Sequence, residues 1–336
     1  VISLNVTVVE KLLELTGPID VPEYDLQLDH RNFLTEIQKE VEENKVPGEN
    51  PKKVLQFAAP KLIEALGNID DSKKGELLEL FITKAKTKDI KFFFKDQSME
   101  ELVLNLRSGG DVYNLEEDFV GDYLALVNAN VAGGKTDILV EQRVVLRSEI
   151  DKAGVLQNQL TVTKRHGGKI YIEPWYNHLS QTFFKVFTVP GSRLTYIEGG
   201  EKKEITPHLD YSTSEYEIDA VLEALESTRS LLSPQSDGYA ESYLESGKRV
   251  FATWFNVEPG ESKALRLYYQ AGSVPLIDSQ GFVFVLDKQS GSEMDFEYLV
   301  AAPDGYYWQE SGNDLYKFRE SNLESRVEIP LTLRKR

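Results

Sequence analysis

GDYLALVNANVAGGKTDILVEQRVVLRSEI, residues 121–150, is the stretch on which the reading of this chain turns. Residues 123–128 and 137–148 carry the β-branched and apolar content of strands. Gly133-Gly134 between them reads as the turn of one long hairpin. Along that hairpin lie Asp122, Asn128, Asn130, Lys135, Asp137, Arg143 and Arg147, a density of amides and charges that few hairpins carry. Arg143 and Arg147 are four apart on a strand, so they project from one face and are placed to clamp a phosphate or carboxylate. The competing reading pairs them across strands with Glu141, Glu149 or other acids.

Downstream the period of two continues. Residues 157–164, 182–189, 250–257, 263–269, 281–286, 294–301 and 325–333 read as strands. Pro190-Gly191-Ser192, Glu258-Pro259-Gly260 and Ser290-Gly291-Ser292 punctuate them. Many short strands with regular turns predict an antiparallel sandwich. Residues 199–247 interrupt it with an amphipathic helix over 216–232. Upstream the pattern is helical. Capping signals at Thr7, Asp29, Ser72 and Ser98, with Pro51 at a helix start and Pro60 as a kink, predict helices separated by short strands. The expected stripe of the fourth helix is Leu77, Leu78, Phe81 and Ile82. The expected organisation is α+β, with an α/β domain over 1–118 and a sandwich with a helical insertion over 119–336.

The 336 residues suffice for two cores without disulfide or metal staples. A net charge of −17 argues against nucleic acid, whose phosphates need clustered Lys and Arg, and against anionic lipid. Absence of cysteine removes disulfides, thiolate metal sites and thiol catalysis. No window reaches the ~20 apolar residues of a membrane span. The opening VISLNV reads directly as a strand, so any targeting or anchoring segment is expected to lie upstream.

No complete catalytic motif is present. Ala132-Gly133-Gly134-Lys135-Thr136 fails as a phosphate loop, because Ala129 stands where the first glycine belongs and a strand follows instead of a helix. His166 and His178, with Glu173, match no zinc spacing. Tyr171, Trp175 and Tyr176 form an aromatic group able to stack on a sugar, with packing as the plainer reading. Carboxylate pairs such as Asp70-Asp71 and Asp287 with Asp295 have no legible separation. Ser192 reads as a turn residue, and Thr7 of the Asn5-Val6-Thr7 sequon reads as a cap.

Several segments in order resemble a bacterial family, domain-of-unknown-function number four thousand and twelve. They are LLELTGPIDV (12–21), Leu28-Asp29-His30-Arg31-Asn32, GDYLALVNANVAGGKTD (121–137), FTVPGSRL (187–194), ESGKRVFATWFNVEPGESKALRLYY (245–269) and DKQSG (287–291). That resemblance implies an envelope protein facing outward from a membrane anchor, with an immunoglobulin-like sandwich at its C-terminal end. The first third is more distantly similar to part of the LytR-CpsA-Psr fold, whose members transfer glycopolymers from a lipid pyrophosphate carrier. Those enzymes use several arginines and an acidic magnesium ligand, whereas between residues 1 and 106 only Arg31 is arginine. The expectation is non-enzymatic binding or scaffolding of surface glycopolymer or peptidoglycan, with no cofactor. Its ligand-binding candidates are Arg31, Arg107, Asp122, Asn128, Asn130, Lys135, Arg143 and Arg147. The alternative is a phosphotransferase using Arg31, Arg107, Arg143 or Lys135 at the pyrophosphate and Asp122 at magnesium.

Overall fold

The computed structural model describes residues 1–43, 50–131, 133–168, 173–205, 216–217, 219–231 and 237–336. The chain divides into two compact units, Val1–Asp111 and Val112–Arg336, and its architecture is α+β.

In the first unit, β1 (Ile2–Leu4) leads into α1 (Val6–Thr16), which Gly17 ends at φ 87°. The ribbon of β2 (Ile19–Val21) and β3 (Leu26–Leu28) is followed by α2 (Phe33–Glu43), α3 (Val54–Gly67) and α4 (Lys74–Lys86). β4 (Ile90–Phe92) returns to pair antiparallel with β1, and α5 (Gln97–Asn105) closes the unit. Carboxylates cap these helices where hydroxyls are expected from the sequence. Asp70 accepts from Ser72 N at the turn before α4, and Asp96 from Met99 N at α5. A charged acceptor suits a helix N-terminus better than a hydroxyl does. Asn5 occupies the cap of α1 and spends its amide on Asp89 Oδ1 at 2.7 Å instead, leaving Thr7 inside the helix. Pro60 is accommodated within an unbroken α3, and the stripe expected on α4 is half right. Leu77 and Phe81 pack inward, but Leu78 and Ile82 stand 62% and 50% exposed.

The second unit contains β5 (Gly121–Asn130), β6 (Val140–Ile150), β7 (Val155–His166), β8 (Ser180–Thr188) and β9 (Arg193–Glu198). Then come α6 (Ala220–Ser227), β10 (Ser230–Leu231), β11 (Glu241–Glu245), β12 (Lys248–Val257), β13 (Ser262–Ser273) and β14 (Gln280–Asp287). β15 (Asp295–Ala301), β16 (Tyr306–Trp308), β17 (Leu315–Glu320) and β18 (Arg326–Lys335) complete it. One sheet has the order β10-β11-β12-β8-β5-β14-β18-β16, the other β17-β15-β6-β7-β13-β9. Both sheets turn alternate residues into one apolar core. Phe284 of β14 stacks on Tyr298 of β15 at 4.0 Å, and Phe251 of β12 meets Tyr269 of β13 at 5.6 Å. Each such buried aromatic stabilises the fold by about 1.5–3 kcal/mol through burial alone.

Two expectations fail here. The 121–150 stretch is not a hairpin: β5 and β6 lie in different sheets. Val131 and residues 133–139 belong to an arch between the sheets rather than to a chain reversal. Asn130 Oδ1 accepts from Gly133 N, and its Nδ2 donates to Gly134 O and Asp137 Oδ2. A 3₁₀ turn at Thr136–Leu139, where a strand was expected, then redirects the backbone. A Cβ at Gly133 would lie 2.6 Å from Gln181 N, so the glycine serves close approach to β8. The unit is also not wholly antiparallel. β14 runs parallel to β5, and β15 parallel to β6, because two successive strand pairs cross between layers in the same sense. The helix expected over 216–232 is shorter, Ala220–Ser227, with Asp219 capping Val221 N and Leu222 N. Positions 218 and 232 of that expectation lie outside the described residues.

Candidate functional site

Alternation along β5 sends Asp122, Leu124, Leu126, Asn128 and Asn130 to the core side, so one strand carries polar groups at both ends of its buried face. Asp122 is fully buried. Its carboxylate accepts from Asn158 Nδ2 of the facing sheet at 2.7 Å and from Tyr123 N at 2.9 Å. Burial pushes the carboxyl up to about 7 against the pull of both hydrogen bonds. The Tyr269 and Tyr298 hydroxyls and Ser148 Oγ share this end of the core, each buried without a well-formed hydrogen bond. The carboxylate raises both phenols further, in addition to the larger effect of their burial.

Within the second unit the remaining candidates do not converge on this cluster. Asn128 lines a small pocket at the opposite end of the core. Asn130 holds the arch, and Lys135, later in the same arch, donates its backbone N–H to Trp175 O. Arg143 projects outward and pairs with Glu297 at 3.2 Å and Asp295 at 3.8 Å on the neighbouring strand, while Asp295 also holds Arg319. Arg31 and Arg107 belong to the first unit. Arg31 is exposed in the turn before α2, its Nε donating to His30 Nε2, and Arg107 is exposed after α5 in the left-handed region at φ 57°. His166 accepts from Gly168 N on Nδ1, which fixes the proton on Nε2, and that nitrogen donates to His178 O at 3.0 Å. Both ring nitrogens are thereby occupied. Trp175 and Tyr176 pack on Leu139, and Tyr171 lies outside the described residues.

Arg147 stands apart. It shares the outward face of β6 with Arg143, but among the described residues its guanidinium makes no ion pair or hydrogen bond. It lines a cleft of about 560 Å³ on the outer face of the six-stranded sheet, with Glu149, Gln157, Gln159, Thr195 and Tyr268. Register sets the neighbours: Arg147 opposes Gln159, which in turn opposes Tyr268. Gln159 Nε2 donates to Tyr268 Oη at 3.2 Å, and Thr195 Oγ1 donates to Tyr268 O at 2.8 Å. The Tyr268 ring meets Tyr196 edge-on at 5.7 Å. Gln157 is tied to Asp151 Oδ2, leaving its carbonyl end for a ligand. A cationic fork, amides, hydroxyls and an aromatic ring on a flat sheet suit a hydroxyl-rich ligand. The sequence signal for this face is Gln157 and Gln159, two apart on one strand and flanked by Leu156 and Leu160, together with the outward member of the Tyr268-Tyr269 pair.

No family model matches the chain, and no curated protein matches it. Among solved structures, it is similar to a protein from Legionella pneumophila described as a "putative nutrient binding protein". The identity is 9% over 64% of this chain and 72% of that one, with a TM-score of 0.31. It is also similar to the M1 zinc metallopeptidase of Deinococcus radiodurans, at 13% identity over 60% of this chain and a TM-score of 0.28. The match takes in 42% of the metallopeptidase's own length. Likenesses this slight transfer nothing of either protein's activity to this chain.

Proposed function

We propose that this chain is a non-enzymatic envelope protein that binds or scaffolds surface glycopolymer or peptidoglycan through the outer face of its six-stranded sheet. Arg147 carries the reading: among the described residues its guanidinium makes no ion pair or hydrogen bond, and it stands in a cleft with amides, hydroxyls and a tyrosine ring. The extracytoplasmic location, the immunoglobulin-like character of the sheet pair and the kinship of the first unit with part of the LytR-CpsA-Psr fold rest on the sequence resemblances. A net charge of −17 keeps nucleic acid out of the reading. The phosphotransferase alternative asks for an accessible acid among open cations, whereas Asp122 is enclosed and Arg143 is paired.

Co-sedimentation with purified cell wall, followed by a glycan array, tests the proposal. The protein is retained, and Arg147→Ala weakens retention about ten- to hundredfold with an unchanged melting temperature, as expected for one lost charge-assisted contact of about 1.5–3 kcal/mol. Failure of the unaltered protein to bind either material, or equal retention of the variant, removes the reading.

A further inference from the structure

At the end of the core away from Asp122, a pocket of about 250 Å³ opens between the sheets. Asn128 of β5, Gln142 of β6, Lys164 of β7, Thr182 of β8 and the 289–293 turn form its walls. Gln142 and Lys164 are register partners, so their side chains enter side by side. Lys164 is 2% exposed and Gln142 8%. The Lys164 ammonium sits 5.2 Å and 5.1 Å from the Phe184 and Phe255 ring centres, and among the described residues it makes no ion pair or hydrogen bond. Gln142 Nε2 and Asn128 Oδ1 are likewise buried without partners. The wall is fixed in place: Gln289 accepts from Asn128 N at 2.8 Å and donates to Asn128 O at 3.1 Å, clamping the turn to β5.

Buried donors and acceptors are ordinarily satisfied, and each left open costs about 1–3 kcal/mol. Here two donors and one acceptor stand open in one small space. We propose that this pocket receives the carboxylate end of a small ligand, held by Lys164 Nζ and Gln142 Nε2. The two carboxylate oxygens match two adjacent donors, and Asn128 Oδ1 takes a donor on the ligand's next atom. Asp137 and Glu293, exposed at the mouth, favour a ligand whose other end carries an ammonium or hydroxyls. An α-amino acid and a uronic acid both present this chemistry.

Binding is linked to a proton. Desolvation pushes the Lys164 amine down to about 7, with Asp137 acting weakly the other way. Glu293 of the 289–293 turn also faces the pocket from its mouth, whereas Gln142 from β6, Phe184 from β8 and Phe255 from β12 carry no titrating group. His166, next on the same face of β7, is bound on both nitrogens. A carboxylate beside Nζ restores the ammonium, so at pH 8 the complex takes up a proton.

Calorimetric titration of the whole chain with L-alanine, with glucuronate and with uncharged glucose, in two buffers of different ionisation heat, tests this. At least one carboxylate binds and glucose does not. Uptake approaches one proton per site at pH 8 and fades by pH 6. Gln142→Leu weakens binding about tenfold and keeps the proton linkage. Lys164→Met, confirmed folded by its thermal transition, loses both, and Lys164→Arg separates charge from titration by binding without uptake. Binding of alanine alone identifies the amino-acid source, and of glucuronate alone the sugar acid. Absence of binding in both carboxylate arms, binding without proton uptake, or native binding by Lys164→Met overturns the proposal. The outer cleft is not involved, so the two proposals fail separately.

Discussion

The two ends of the core between β5 and β7 are built from similar materials and differ in what they enclose. At one end an acid, Asp122, faces an amide, Asn158. Six residues along both strands, roughly 20 Å away at about 3.3 Å per residue, an amide, Asn128, shares a pocket with an amine, Lys164. Burial drives both ionisable groups to about 7 from opposite sides. The acid is sealed and hydrogen-bonded, so its neutral form is the end of its story. The amine is open to a pocket and makes no ion pair or hydrogen bond among the described residues, so its charge is available to whatever enters. Desolvation alone does not mark a working site; desolvation with an unfilled partner position does.

The pH dependence of the two ends has opposite sign. The unfolded chain releases the Asp122 proton from the ordinary 3.8 upward, while the fold holds it to about 7, so stability falls across that window as pH rises. The unfolded chain keeps the Lys164 proton to 10.5, while the fold gives it up from about 7, so stability climbs across that window. Together they put a trough near neutrality.

Breaking the aromatic seat of the amine is the largest perturbation. Phe255→Ala loses about 3–5 kcal/mol in denaturant titration through the cavity it leaves, and it lets water reach Nζ, lifting the Lys164 titration seen by NMR. A loss below about 1 kcal/mol would mean that the ring is not packed there. Asp122→Asn is next. It stabilises the fold by about 2–4 kcal/mol at pH 8 and by nothing at pH 4, since the amide keeps contact with Asn158 without a charge to bury. A constant difference across pH would refute the buried-acid assignment. Lys164→Met is the smallest, gaining about 2 kcal/mol at pH 6 and converging on the parent by pH 10. A gain that grows with pH would reverse the picture at that end.

The sequence carried the alternation well. Seven strands from 155 onward, β7, β8, β12, β13, β14, β15 and β18, follow from period-two patterning and turn residues, whereas the shorter β9, β10, β11, β16 and β17 were not read from it. It did not carry pairing. Asn130 and Gly133 look like hairpin-turn residues, and only their bonds to the arch and the closeness of Gln181 show that they span layers. The candidate site divided along the same line. Arg143 and Arg147 are indistinguishable in sequence, and what separates them is Glu297, brought alongside Arg143 from more than a hundred residues away. Lys164 and Gln142 read as ordinary strand polar residues, because their meeting in one pocket depends on the register of β6 against β7, which the sequence does not show. Ser72 and Ser98 read as caps that the Asp70 and Asp96 side chains displace, and Thr7 lies inside α1, whose N-cap position Asn5 holds without a side-chain cap bond.

The parallel ladders set the order in which this unit can be completed. β5 and β6 are synthesised early, yet their parallel partners, Val283–Asp287 and Asp295–Ala301, leave the ribosome roughly 150 residues later. Until then both strands present raw hydrogen-bonding edges, which invites intermolecular strand addition, and closing loops of that length makes assembly slow. A protein threaded this way is complete only when its last hundred residues are in hand, so an interrupted chain yields an aggregation-prone sheet rather than a smaller working unit.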